Sequence, residues 1–206
     1  MLKGKKIMLR AAEPEDLDLM YLVENDTSLW TCGSTNVPYS RFALRQFIEQ
    51  TSNDINTDGQ VRLVIALSEN RNAIGFVDLQ NYDLRHRRAE VGIVIMPEWQ
   101  RQGLGNEVLK ILEEYASKHL YIHQLFAFVS VVNTAAQALF SKAGYNKTAT
   151  LQHWLRNGEE WQDAMVYHKI EPLILLAIVL KAWANLGQGK SGVHLHSLQR
   201  LLVPVR

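Results

Sequence analysis

Apolar and polar positions alternate along the first 170 residues with two periods, and the period switches several times. Ile7–Arg10 is a short apolar run that predicts a strand. Pro14 then stands at a first helical position with Glu15 and Asp16 in the first turn, where acidic groups are favoured, and Leu17, Met20 and Tyr21 share one face. Ser40 is placed to cap a second helix on whose face Leu44, Phe47 and Ile48 meet. Val61, Leu63, Ile65 and Leu67 recur at period two, the pattern of a half-buried strand. Glu69–Asn72 reads as a turn into a second strand, Ala73–Leu79. A third, Ala89–Met96, is apolar at nearly every position except Glu90, so cover on both faces is expected.

The second half begins with Pro97-Glu98-Trp99-Gln100-Arg101-Gln102-Gly103-Leu104-Gly105, followed by a helix with Leu104, Val108, Ile111, Leu112 and Tyr115 at helical spacing. Gln124–Val132 is a further apolar strand, Asn133 can cap a helix over Thr134–Lys142, and Gly144 stands where a helix-ending glycine belongs. Thr148–Arg156 and Glu159–His168 flank Asn157-Gly158, a strong hairpin signal. Strands and helices in this order predict a mixed α and β fold, with helices on both faces of one sheet.

Composition narrows the picture. Of 206 residues, 47% are apolar and 21% charged, the balance of a globular protein whose length allows one domain and an appendage. A formal net charge of +1 gives no broad footprint for nucleic acid, so none is expected as a partner. Cys32 is the only cysteine, which excludes an internal disulfide and a cysteine-rich metal site, and no metal is expected. The N-terminus has basic residues but no apolar core of a signal peptide, so a cytoplasmic protein is expected.

Acidic residues stop near position 171. From Pro172 to Arg206 there is no Asp or Glu, while Lys181, Lys190, Arg200 and Arg206 carry positive charge. A domain over 1–170 and a C-terminal extension over 171–206 are therefore separated. The apolar run Leu173–Leu180 falls far short of the roughly 20 residues that cross a bilayer. It predicts a short helix packed on the body or on a second subunit, followed by irregular chain, and so allows a homodimer without a membrane partner. His194 and His196 are too few to argue for a metal.

The chemistry is concentrated in residues 100–105. A strand, then Gln100-Arg101-Gln102-Gly103-Leu104-Gly105, then a helix directs main-chain N–H groups to one point at a helix N-terminus. Those donors and the helix dipole favour an anion such as a pyrophosphate. Glycine at 103 and 105 permits φ > 0 and close approach of a ligand. The spacing is neither the dinucleotide fingerprint nor a Walker A loop.

This motif resembles the GNAT acetyltransferase signature [Q/R]xxGx[G/A], and Asn133-Thr134-Ala135-Ala136-Gln137-Ala138-Leu139-Phe140-Ser141-Lys142-Ala143-Gly144-Tyr145 resembles the second family pattern, Nxx(A/S)xxLYxxxGF. The resemblance runs through most of residues 7–168. Leu9-Arg10-Ala11, Arg88-Ala89-Glu90-Val91-Gly92-Ile93 and the closing hairpin resemble the branch of ribosomal-protein N-terminal and spermidine/spermine acetyltransferases. The resemblance implies a GNAT fold with a mostly antiparallel, twisted sheet of about 6–7 strands, acetyl-CoA as cosubstrate, and transfer to a primary amine by direct attack. It assigns cofactor binding to Val94, Ile95 and Met96 on the strand, to Arg101, Gln102, Gly103, Leu104, Gly105 and Asn106 at the turn, and to Asn133 and Phe140 on the later helix. Asn133 is equally a helix cap, and the two roles are compatible.

Two positions depart from the family pattern. Many relatives place a tyrosine as general acid where Phe140 stands, and some place a glutamate base where Phe128 stands. Glu90, the polar interruption of an apolar strand, is then the general-base candidate, with a strand glutamate paired to Arg87 or Arg88 as the alternative reading. Tyr145 and His153 are further candidates. Deprotonating a lysine-like amine of pKa ~10.4 at pH 7 costs roughly 4.6 kcal/mol, against about 1–1.4 kcal/mol for a peptide α-amine. Loss of two proton-transfer groups therefore favours a peptide or small-molecule α-amine. The acidic cluster Glu13, Glu15, Asp16, Asp18, Glu24 and Asp26 would suit a polyamine instead, or simply form a solvated helix face. A catalytically weak acyl-CoA-binding module is the remaining alternative.

Overall fold

The computed structural model describes residues 2–30 and 37–170. Cys32 and the extension 171–206, with its expected helix, lie outside the described residues. Among the described residues, eight strands and five α-helices run in the order β1 Leu2–Lys3, β2 Ile7–Arg10, α1 Leu17–Glu24, α2 Arg41–Gln50, α3 Ile55–Asp58, β3 Val61–Leu67, β4 Ala73–Asp83, β5 Arg88–Ile95, α4 Leu104–Lys118, β6 Gln124–Ser130, α5 Thr134–Lys142, β7 Asn146–Asn157 and β8 Glu160–Ile170. β1 and α3 have no counterpart in the sequence reading, and β1 accounts for a sheet wider than the six or seven strands expected.

One sheet of order β1-β2-β3-β4-β5-β6-β8-β7 carries all eight strands. Every neighbouring pair is antiparallel except β5 with β6. A parallel neighbour needs a crossover, and α4 supplies it. Local chemistry sets several boundaries. Ser40 accepts from the Ala43 N–H at the start of α2, Asn133 does the same for Ala136 at α5, and Gly144 ends α5 at φ +86°.

Two apolar layers enclose the sheet. Ile7, Leu9, Leu63 and Ile65 pack against Val108, Leu109 and Leu112 of α4 on one side. Val64 and Phe76 pack with Leu17, Met20 and Val23 of α1 and Leu44 of α2 on the other. β3 is accordingly buried on both faces, not half-buried as its period-two pattern suggests. The residues between its alternating hydrophobes, Val64 and Ala66, are themselves apolar, and Arg62 is the polar exception.

Arg62 is held over Asp78 by two bonds of 2.8 and 3.1 Å and pairs with Glu24 at the end of α1. Its guanidinium lies 6.0 Å from the ring centroid of Phe47 and 5.6 Å from that of Phe76. Burial opposes the charged form, but the two carboxylates outweigh it and raise the Arg62 pKa further.

Candidate functional site

β5 and β6 pair only at Arg88–Gln124, Ala89–Leu125 and Glu90–Phe126. Beyond that point β5 stays with β4 as far as Ile95, and β6 stays with β8 as far as Ser130. The two halves of the sheet part, and a wedge opens with Glu90 and Phe126 at its apex. Peptide groups alternate in direction along a strand. Met96 donates its N–H to the Ile74 carbonyl over 2.9 Å, so Val94 and Met96 turn their peptide groups toward β4. Ile93 and Ile95 turn theirs into the wedge. Of the three strand residues assigned to the cofactor, Ile95 therefore has a wedge-side N–H. Ile93, which the sequence reading omits, joins it; only the register against β4 reveals this.

The turn before α4 lies at the open end of the wedge. Gln100 Nε2 donates to the Ile95 carbonyl over 2.7 Å, and Gln102 Nε2 donates to the Glu98 carbonyl over 2.9 Å. Arg101 has φ +58° and Gly103 has φ +81°, so two residues in the left-handed region wind the chain into α4. Gly103 provides no side-chain cap. Among the described residues, no acceptor meets the N–H groups of Arg101 through Asn106. The first turn of a 15-residue helix thus leaves its orphan donors without a partner among the described residues, and its dipole adds positive potential there.

Gly105 lies inside α4 and has no positive φ, contrary to the expectation placed on it. Its value is its size. A Cβ there would stand 3.1 Å from Leu139 Cδ1 on α5 and 3.7 Å from Ile95 Cδ1 on β5. Glycine lets α4, α5 and β5 converge beside the wedge.

Asn133 Oδ1 caps α5 through the Ala136 N–H at 3.0 Å. Phe140 is 3% exposed, with Tyr145 edge-on and Tyr167 stacked upon it, so it packs the core beneath α5. Tyr145 is also buried, with its hydroxyl against Glu113. Burial raises the Glu113 carboxyl above its ordinary range, although Lys169, 2.7 Å away, and Tyr145 oppose the shift.

On the opposite side of the sheet, half-buried Glu90 accepts 2.8 Å from Asn81 Nδ2. Asn81 sits at φ +51° where the register of β4 against β5 shifts between Gln80 and Asp83. Neither Arg87 nor Arg88 takes Glu90: Arg87 donates to the Tyr121 carbonyl and Arg88 pairs with Asp83. Next to Glu90 the rings of Phe126, Phe128 and Trp154 follow one another at 5.6 Å intervals. His153 is exposed, and its N–H is bound to Asp163.

The acidic cluster of the first helix is largely committed to internal partners. Asp16 pairs with Arg10, Asp18 with Arg41 and Glu24 with Arg62, while Asp26 accepts from Ser28. Among the described residues no group of three metal-ligating side chains occurs, and no helix is long and apolar enough to cross a membrane.

Comparison with known proteins agrees with this geometry. Residues 6–146 match the model of the acetyltransferase (GNAT) domain. The chain is 27% identical over 165 residues to the spermidine N(1)-acetyltransferase of Escherichia coli (strain K12), covering 80% of this chain and 86% of that protein. Its fold is similar to the spermidine N-acetyltransferase of Vibrio cholerae in complex with CoA and spermine, with a TM-score of 0.72 at 23% identity, covering 81% and 96% of the two chains. A putative ribosomal-protein-serine acetyltransferase from Vibrio cholerae has a TM-score of 0.65 at 19% identity over 82% and 97%.

Proposed function

The chain belongs to the GNAT acetyltransferase family and is an acetyl-CoA-dependent N-acetyltransferase; from that premise we propose that it acetylates a small primary amine bound where β5 and β6 separate. The supporting observation is the run of N–H groups from Arg101 to Asn106, which have no acceptor among the described residues, at the N-terminus of α4. Such a turn suits the diphosphate of coenzyme A. Ile93 and Ile95 offer wedge-side peptide groups to the pantetheine arm, and Asn133 stands at the start of the neighbouring α5.

Acetyl-CoA supplies the activated acetyl carbon; the chain supplies position and proton transfer. Wedge-side N–H groups on β5 are the donors available to polarise a carbonyl in the gap. Glu90, steadied by Asn81, is the proton acceptor nearest the apex. Holding both reactants in the wedge lowers the entropic cost of the encounter. A cytoplasmic location accords with this reading, and neither nucleic acid nor a membrane surface is needed as a partner.

Calorimetry with acetyl-CoA, followed by thiol release against a panel of amines that includes an α-amine peptide and spermidine, tests the assignment. Binding together with turnover of the α-amine is expected. Binding without turnover of any amine would mark the chain as an acyl-CoA-binding module and refute the transferase reading.

A further inference from the structure

The rings of Phe126, Phe128 and Trp154 belong to neither hydrophobic core. Phe126 is edge-on to Phe128, and Trp154 lies tilted over Phe128 at 36°. Trp154 is 53% exposed, and the two phenylalanines are half-buried. The row starts at the wedge apex, because Phe126 is the strand partner of Glu90.

Trp154 reaches Phe128 across an intervening strand, and a distortion of β7 makes this contact. The register of β7 against β8 shifts between Leu151 and Leu155, and His153 within the bulge has φ +51°. Asp163 holds the bulge by accepting the His153 N–H over 2.9 Å. Asn81 on β4 has the same kind of strained backbone and aims its amide at Glu90. Bulges that re-aim a side chain, and non-glycine residues held at positive φ, concentrate at functional sites. Here one steadies Glu90 at the wedge apex and the other sets Trp154 at the far end of the ring row.

We infer that Phe126, Phe128 and Trp154 form the acceptor subsite, and that it takes a monoamine whose carbon body is apolar, an arylalkylamine being the fitting chemistry. This deepens the transferase reading and rests on it. With the amine at Glu90, the body of such an acceptor runs along the rings toward Trp154. A second ammonium group is less well provided for. Glu24 and Asp78, on this side of the sheet, are both committed to Arg62, and Asp18 to Arg41. Phe126, Phe128 and Trp154 are specificity-determining residues in this scheme, and Asp163 is a positioning residue that acts through the bulge.

Steady-state kinetics on the full chain, with 2-phenylethylamine and spermidine as probes and calorimetry of acetyl-CoA alongside, test the inference. Wild type should have the higher kcat/KM for 2-phenylethylamine. Trp154→Ala and Phe128→Ala should each raise its KM about ten-fold, with acetyl-CoA affinity unchanged, and Trp154→Phe should recover most of the loss. Preference for spermidine, or a KM for 2-phenylethylamine that Trp154→Ala leaves unmoved, would overturn the inference while sparing the transferase assignment. Failure of wild type to bind acetyl-CoA, or to release thiol with any amine, would overturn both.

Discussion

Gln100 Nε2 donates to the Ile95 carbonyl over 2.7 Å, and this bond ties the turn before α4 to the last residue of β5. Its two ends belong to the two parts of the proposed cofactor site, the diphosphate turn and the wedge strand. Gln100→Ala removes the tie without removing any of the main-chain donors. An exposed hydrogen bond contributes about 0.5–1.5 kcal/mol, so acetyl-CoA should bind roughly 2–10-fold more weakly. Calorimetry on the variant checks this, and an unchanged Kd would show that the turn keeps its shape unaided.

Gly103 and Gly105 should fail differently when replaced by alanine. Gly103 is exposed at φ +81° with nothing within 4 Å of its missing Cβ. Gly103→Ala therefore incurs only backbone strain of about 1 kcal/mol. Gly105→Ala puts a methyl group 3.1 Å from Leu139 Cδ1, so the Leu139 side chain must give by a few tenths of an ångström. Overpacking costs up to roughly 1–3 kcal/mol, and the roughly 0.5–1 kcal/mol that alanine gains over glycine inside a helix offsets part of it. Urea unfolding of Gly105→Ala, Leu139→Ala and the double variant should show coupling, with the double variant more stable than the sum of the two losses. Strict additivity would mean that the two helices do not meet at this point.

The sequence foretells those features that short-range chemistry dictates. Ser40 and Asn133 cap the helices they precede through bonds to near neighbours, and Gly103 takes positive φ; the last hairpin closes one residue later than the Asn157-Gly158 signal, with Asn157 paired to Glu160 and Gly158-Glu159 as the turn. Relationships between distant strands are another matter. Which peptide groups of β5 face the wedge depends on its register with β4, so Ile93 carries no local mark of its place. The bulges at Asn81 and His153 arise from pairing irregularities 72 residues apart in sequence that only the assembled sheet brings to the same site. Asparagine tolerates the left-handed region better than most residues, yet at Asn81 that tolerance alone would not have identified the partner of Glu90. Gly105 was legible as a required glycine, but for the wrong reason, since its crowding comes from Leu139.

Asp16 should make stability fall on the acid side. Burial works against its charged form, but bonds of 2.6 and 2.8 Å from Arg10 and one of 2.9 Å from the Glu13 N–H prevail, and its carboxyl is held below the ordinary range. A carboxyl depressed in the folded state stabilises above its unfolded pKa of about 3.9, and the contribution is lost as pH falls through the lower folded value. Urea unfolding should therefore find wild type more stable than Asp16→Asn at pH 7, with the gap closing below about pH 4. A gap that stays constant down to pH 2 would show that the two side chains differ in packing and not in charge.

Lys169 and Glu113 provide the opposite sign. Lys169 Nζ lies 2.7 Å from Glu113 Oε2 and 3.0 Å from the Ala143 carbonyl, so one ammonium group joins α4, the end of α5 and β8. Burial raises the Glu113 carboxyl even with its partner in place. A carboxyl raised in the folded state loses stability as pH rises from its unfolded value, about 4.3, through the folded one. Lys169→Met takes away the compensating charge and should enlarge that loss. Removing one partner of a fully buried pair costs about 3–5 kcal/mol. Lys169 keeps 27% of its side-chain surface in solvent, so a loss at pH 7 of roughly 2–3 kcal/mol is expected here. Near pH 4 the carboxyl is protonated and the variant should recover most of it. Glu113→Leu combined with Lys169→Met, which leaves no charge behind, should be more stable at pH 7 than Lys169→Met alone. If urea unfolding shows the same deficit at both pH values, or no gain in the double variant, the ion pair does not set the stability of this junction.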